Sequence, residues 1–384
     1  MPSESPIITN LFHNPNLSIA DLHLHGKYAI SCSRTTTPVD IVEMSARKGV
    51  NLIGTGDIFY PPWEKEWRDF LSKPPKSIGV VPTTEVSVHF PFGGAKKAFH
   101  FILVFSNFEV INIVREKLSK YGRIGDFARP DLYIEPARLE EEIFSSDSGS
   151  IIIPAHIFTP YFSILGRRGV EKFEDLGMSK SPCETGISAD PSMCARLKTL
   201  EAIPIVSFSD AHSPETIGRE ATVIENGIPL KEALMSPVMT IECCPEFGKY
   251  HVTGHKPCGI GLREDEDFEV CPKCGKKMTL GVAQRIGRLE KSADPKTQPF
   301  KKIIPLKDLL AFSLGLSSPT TKSKKLAGKA IEIIGPELYI LLEAGEGELE
   351  KILPEKATEM ILKVRSGNIR IRPGFDGEYG VIVS

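Results

Sequence analysis

Two histidines spaced by one residue, His23 and His25, close a short apolar run. Along a strand, alternate side chains share a face, so both imidazoles can reach one ion. The pair alone is only moderately specific, but similar groups recur along the chain. The run at 50–54 leads to Asp57, 78–85 ends in Glu85, 99–105 carries His100, 151–156 ends in His156, and 203–209 leads into Asp210 and His212. Histidines satisfied one by one in a core would need a coincidence at each of these strand ends, so a shared metal centre is the better reading. Imidazole with carboxylate suits zinc, manganese or iron, and magnesium less naturally. The set has room for two or three divalent ions (Zn, Mn or Mg), with Glu85 able to bridge two of them. A bridged pair lowers the pKa of a shared water and clamps the attacking and leaving oxygens of an in-line phosphoryl displacement. The chemistry expected is therefore hydrolysis of a phosphate ester, with Glu85, Asp210, His212 and Asp57 as the catalytic set. No Gly-x-Ser-x-Gly elbow competes, and Cys183 and Cys194 read as buried thiols. His13, His89, His251 and His255 lack the strand-end context and read as ordinary histidines.

Strand-like runs alternating with helical or loop segments over residues 19–237 predict an α/β fold, specifically a β/α barrel whose chemistry sits at the strands' C-terminal ends. A doubly wound sheet is the rival. The GTGD at 54–57 is no dinucleotide fingerprint, because it lacks the third glycine and the opening helix. Helices are expected over PVDIVEMSARKG and over 138–144. The predicted domains are a hydrolase barrel over 1–237, a Cys-rich zinc-binding module over 238–290, and a mainly helical C-terminal region over 291–384 closed by a hairpin around PGFDG.

Five of the eight cysteines crowd into residues 243–274. In a reducing compartment such crowding reads as metal binding. Cys271-Pro-Lys-Cys274 is a knuckle half-site, and Cys243 and Cys258 are preferred as partners around one structural zinc. Cys244 can replace Cys243, and His251 or His255 can replace a cysteine.

The net charge of -2 is unevenly spread: residues 271–329 hold 14 Lys or Arg against 3 Asp or Glu. A phosphate-backbone footprint requires such a stretch, and a solvated salt-bridged surface explains it equally well. No run approaches a membrane span, and residues 1–18 show no secretion signal, so a cytoplasmic setting is expected.

With His23-x-His25, GTGD, Glu85, His100, PAH at 154–156 and SDAH at 209–212, the chain resembles the PHP superfamily. That resemblance implies a distorted seven-stranded barrel with up to three metals. It implies one metal on His23, His25, Glu85 and Asp210, a second on Glu85, His100 and His156, and a third involving Asp57 and His212. Relatives have further histidines where Ser31 and Tyr60 stand here. Adding HLHGKY, PAHIFTPYFS, FSDAHSP, IECCPEFGKYHVTGHKPCG, CPKCGKKMTLGV and PGFDGEYG, nearly the whole chain is similar to the endonuclease Q family, PHP-domain DNA repair enzymes with a zinc-binding insert. That similarity implies cleavage of single- or double-stranded DNA 5′ to a deaminated base (uracil, hypoxanthine, xanthine) or an abasic site, leaving a 3′-hydroxyl and a 5′-phosphate. The alternative is a phosphatase of a small phosphoester such as histidinol phosphate. Candidate substrate contacts are Lys27, Arg34, Arg167 and Arg168 for phosphate, and Phe158, Tyr161 and Phe162 for a base taken out of the helix.

Overall fold

The structure is a computed structural model and describes residues 10–75 and 77–383. Each of the expected apolar runs contains a strand. β1 (Leu17–Asp21), β2 (Leu52–Gly54) and β3 (Gly79–Val81) pair in parallel. β4 (Thr83–Phe92) and β5 (Ala95–Val104) form a long hairpin around Gly93 and Gly94, at φ 58° and 75°, the positive values a tight two-residue turn demands. β6 (Asp131–Tyr133) joins β4, and β7 (Ile151–Pro154) joins β5. β8 (Cys183–Glu184) and β9 (Ile205–Val206) pair in parallel, and β10 (Ala221–Glu225) returns antiparallel to β1. Further hydrogen bonds link the ladders into a ring: Ile58 N–H to the Thr83 carbonyl (3.1 Å), Ile157 N–H to that of Glu184 (2.9 Å), and Ser207 N–H to Thr222 Oγ1 (2.9 Å). The result is the distorted α/β barrel the sequence predicts.

Ala20, Ile102, Ile153, Val206 and Ile224, one each from β1, β5, β7, β9 and β10, belong to one buried cluster, while Ile19 and Ile53 face a second core shared with the helices. Burial on both faces is why these strands read as unbroken apolar runs. The helix Pro38–Lys48 shows how local sequence sets an element's limits. Thr37 and Asp40 form a capping box at its start, and Gly49 closes it in the left-handed conformation at φ 88°.

Strand pairing crosses the boundary expected at residue 237. β11 (Met239–Cys243) pairs with β10, and β14 (Phe300–Ile303) pairs with β11, so these two strands extend the barrel's own sheet. Between them β12 (Gly254–His255) and β13 (Ile260–Gly261) form a small ribbon. The helices Leu306–Ser313, Thr321–Ile333, Glu337–Leu342 and Glu355–Arg365 lie in the C-terminal region expected to be mainly helical. The expected hairpin is β15 (Arg370–Arg372) against β16 (Val381–Val383). Among the described residues, no helix is long and apolar enough to cross a membrane.

Candidate metal centre and its surroundings

Eight side chains from separate strand ends and turns converge at one end of the barrel. Glu85 on β4 lies opposite Ile102 on β5, and His100 lies opposite Ser87 two residues along, so Glu85 and His100 are diagonal neighbours on one face. His100 Nδ1 is 2.7 Å from Glu85 Oε1, and His156 Nε2 is 3.3 Å from the same oxygen. On the other side, His23 Nε2 is 3.6 Å from Glu85 Oε1 and His25 Nε2 is 3.5 Å from Oε2. Asp210 Oδ1 sits 3.5 Å from His23 Nε2 and 3.2 Å from His25 Nε2. Three groups each bring their ligand atoms within 4.8 Å of one another: His23, His25 and Glu85; Glu85, His100 and His156; and His25, Asp210 and His212. Glu85 belongs to two of them, as a bridging carboxylate must.

The Nε2 atoms of His23, His25 and His100 are buried without a hydrogen-bond partner. An orphaned buried acceptor is costly unless something satisfies it, and a divalent cation does so for an imidazole nitrogen. These residues therefore fit metal ions. Electrostatics points the same way. Burial opposes a charged His23, but Glu184, Asp210 and Glu85 outweigh it and raise its pKa to about 9. Glu85 is held well below the ordinary carboxylate range, the histidines around it overriding its burial. So many buried carboxylates call for positive charge.

Backbone strain marks the same place. Asp57, His156 and Asp210 adopt left-handed φ of 48°, 32° and 46°, values uncommon outside glycine and concentrated at functional sites. At GTGD the backbone passes so close to the segment following β1 that a Cβ on Gly56 would fall on the Leu24 carbonyl. Trp63, fully buried, pins the turn by donating its Nε1–H to the carbonyls of Thr55 (3.0 Å) and Gly56 (2.9 Å). The turn delivers Asp57 behind His25, not into a ligand group: Asp57 Oδ1 is 3.1 Å from His25 Nδ1, and Oδ2 accepts from Gly26 N–H at 2.7 Å. Asp57, expected as ligand and catalytic residue, thus lies outside the three ligand groups, and its contact is the kind that orients an imidazole through the far ring nitrogen. The third group forms from His25, Asp210 and His212 instead.

Spacing did not reveal two other participants. Glu184, fully buried, takes His23 Nδ1 at 2.9 Å and the His156 backbone N–H at 2.7 Å, so one carboxylate orients residues of two metal groups. It ends a two-residue strand, too short to register as an apolar run. Arg129 places Nη1 3.0 Å from Glu85 Oε2 from a loop with no pattern of its own.

A cavity of about 490 Å³ opens over the centre, and its wall includes His156, Asp210, His212, Arg219, Tyr250 and Tyr379. Tyr250 and Tyr379 lie beyond residue 237, so the later part of the chain helps to build the pocket. Among the expected substrate contacts, Phe158 is only 2% exposed and belongs to the core, because it points inward from the turn after His156. Tyr161 and Phe162 are half exposed, and the Phe162 ring stacks on His100 at 4.8 Å and 9°. Lys27 pairs with Glu66, Arg34 and Arg168 are exposed, and Arg167 lines a separate small cavity against the Cys-rich module.

In that module, ligand atoms of His255, Cys258, Cys271 and Cys274 lie within 4.8 Å of one another. Cys243, expected as the fourth ligand, is instead buried in β11 with its thiol pKa pushed up by burial, because strand pairing with β10 and β14 commits it to the barrel sheet. His255 takes its place, with Nδ1 3.5 Å from Cys274 Sγ. The turn of the closing hairpin braces this module: Asp376 Oδ2 accepts from Lys256 N–H at 2.7 Å, and Thr279 Oγ1 donates to Asp376 Oδ1 at 2.6 Å. The basic stretch does not form one open surface. Lys302 is paired with Asp190, and Lys307 and Lys324 with Glu215.

No family model matches the chain. Among solved structures, that of the lesion-specific endonuclease PfuEndoQ from Pyrococcus furiosus superposes with a TM-score of 0.84 at 28% identity, covering 95% of both chains. Over nearly its whole length this chain is therefore similar to an endonuclease Q. An endonuclease Q bound to a 27-mer duplex substrate, with an abasic lesion at the active site, matches at TM-score 0.83 and 27% identity over 95% of this chain and 96% of that one. The chain is also similar to YqxK of Bacillus subtilis, an uncharacterized protein 26% identical over 397 aligned positions, 94% of this chain and 98% of that one. An uncharacterized protein of Methanocaldococcus jannaschii is 33% identical over 246 positions, 59% of this chain. This chain's match spans about a third of that longer relative (31%).

Proposed function

We propose that this protein is a metal-dependent DNA repair endonuclease that hydrolyses the phosphodiester 5′ to a deaminated base or abasic site. The observation that carries the reading is the near-complete superposition on a lesion-specific endonuclease, with the His, Asp and Glu groups gathered at a single pocket. Divalent ions bound there would supply Lewis acidity, activating a water and stabilising charge on the phosphate. His23, His25, Glu85, His100, His156, Asp210 and His212 would hold them, two or three in number, as zinc, manganese or magnesium.

The protein's own groups would do the rest. Glu184 and Asp57 fix the orientations of His23 and His25, so the ligand set is organised before substrate arrives. The water oxygen joins phosphorus, the P–O3′ bond breaks, and the proton passes to O3′, leaving a 3′-hydroxyl and a 5′-phosphate. Tyr161 and Phe162 offer aromatic faces to an unstacked base, and Arg34 and Arg168 offer charge to the backbone. His255, Cys258, Cys271 and Cys274 would hold one structural zinc.

The test is purified protein with Mn²⁺ or Mg²⁺ and end-labelled duplexes carrying one uracil, hypoxanthine or abasic site, beside an undamaged control. Cleavage immediately 5′ to the lesion, absent from the control, is the expected result. Equal cutting of the control, or release of phosphate from a sugar phosphate without any DNA cleavage, would overturn the reading.

A further inference from the structure

The most exposed large apolar side chain among the described residues is Ile30, at 82%. It stands beside the metal pocket, since the next residue, Ser31, lines the cavity with His156, Asp210 and His212. A single exposed isoleucine is ordinary on a protein surface. What sets Ile30 apart is the support beneath it.

The loop leaves His25 through Gly26, where a Cβ would strike the Trp63 indole, so its base lies flat on a buried aromatic. Gly26 N–H is held by Asp57, and Ala29 N–H returns to the Gly26 carbonyl at 3.0 Å. The Tyr28 ring packs on Tyr60 (4.9 Å between centroids) and on Trp63 (6.2 Å), and its hydroxyl donates to Glu66 Oε1 at 2.8 Å. Lys27 pairs with the other oxygen of Glu66 at 2.8 Å. Ser31 is left-handed, at φ 68°. The loop is thus a braced turn with an apolar tip, anchored at both its base and its Tyr28 shoulder.

Taking a nucleotide out of a duplex leaves an unstacked gap that recloses unless something fills it. Apolar side chains, isoleucine among them, serve as such fillers. We propose that Ile30 is a wedge that enters the base stack at the lesion and holds the damaged nucleotide out toward the metal pocket. This rests on the nuclease reading, and it identifies intact duplex as the substrate form for which the loop is built.

The test uses the full-length, metal-loaded protein and two substrates, uracil in an intact duplex and the same uracil inside an unpaired bubble, where no stack has to be opened. Ile30→Ala should lose about tenfold or more in kcat/KM on the intact duplex and little on the bubble. Ile30→Leu should restore duplex cutting. A 2-aminopurine next to the lesion should brighten on binding wild type and brighten less with Ile30→Ala. An unchanged duplex-to-bubble ratio in Ile30→Ala overturns the wedge, as does an equal fall on both substrates, which would mean that the loop supports the metal pocket instead. A wild-type protein that cuts neither substrate removes the nuclease reading and the wedge with it.

Discussion

The chain brings metal-binding side chains together in two places by opposite means. In the barrel the ligand candidates run from His23 to His212, nearly all are buried, and they are delivered by several different strands and turns. The scaffold has a large core of its own, and a further tier of carboxylates, Asp57 and Glu184, is already bonded to the imidazoles. In the Cys-rich module the four groups span only residues 255–274, Cys274 is exposed, and the local core comprises little more than Leu262, Cys271 and Met278. A core that small cannot offset the ordering entropy of its loops, whereas the barrel's can. Metal in the module would therefore serve folding, and metal in the barrel would serve chemistry on a scaffold that stands without it.

The sharpest way to break this comparison is Glu85→Ala or Asp210→Ala. Cleavage should fall to the limit of detection while the far-ultraviolet spectrum and melting profile stay those of a folded barrel. Stoichiometric metal with near-wild-type turnover in both variants would dismantle the proposed centre. Next comes Glu184→Gln, expected to cost about 10–100-fold in metal affinity or activity, because it loosens the orientation of His23 without removing a ligand. Metal titration followed by calorimetry checks it.

Cys271→Ser should leave the barrel folded yet release one zinc and expose 255–280 to protease, an effect that chelation of the wild type should reproduce. A module equally protected with and without metal would erase the distinction between the two sites.

A smaller effect concerns a buried acidic pair inside the barrel. Burial raises Glu242 to about 8, and raises Glu220 well above the ordinary range, helped by its neighbour. Because the folded state then binds more protons than the unfolded state, stability is full below about pH 4.5 and is lost as pH rises toward 8. Glu242→Gln, which removes that proton uptake, should melt progressively higher than wild type from pH 5 to 8 and gain nothing below pH 4.5. Parallel pH profiles would refute the assignment. Smallest of all, charge reversal at the exposed Lys322 and Lys325 should flatten the salt dependence of DNA binding, lowering its logarithmic slope by about one for each phosphate left without a cation. Reversal of Lys302 should instead destabilise the fold, since Asp190 holds it at 2.8 Å.

Much of the barrel is legible in the sequence because both signals are local. Strands buried on two faces read as apolar runs, and a ligand at the end of such a run keeps its place in the written order. The helix over 38–48 is equally plain, since Thr37, Asp40 and Gly49 fix its limits through contacts within a turn. What the sequence leaves open depends on pairing between distant segments. Cys243 and His255 are both chemically fit for zinc, and only the pairing of β11 with β10 and β14 removes the first while the β12–β13 ribbon presents the second. Asp57 and Glu184 both carry carboxylates. Whether each meets a metal or the back of a histidine follows from which ring nitrogen lies nearest, set by strand positions far apart in the chain. Residue 237 looks like an end because helix and strand signals thin out there, yet the sheet continues through β11 and β14, since ladder hydrogen bonds are indifferent to sequence distance. Residue type and local spacing fixed the kind of chemistry, and tertiary pairing decided which of the eligible side chains perform it.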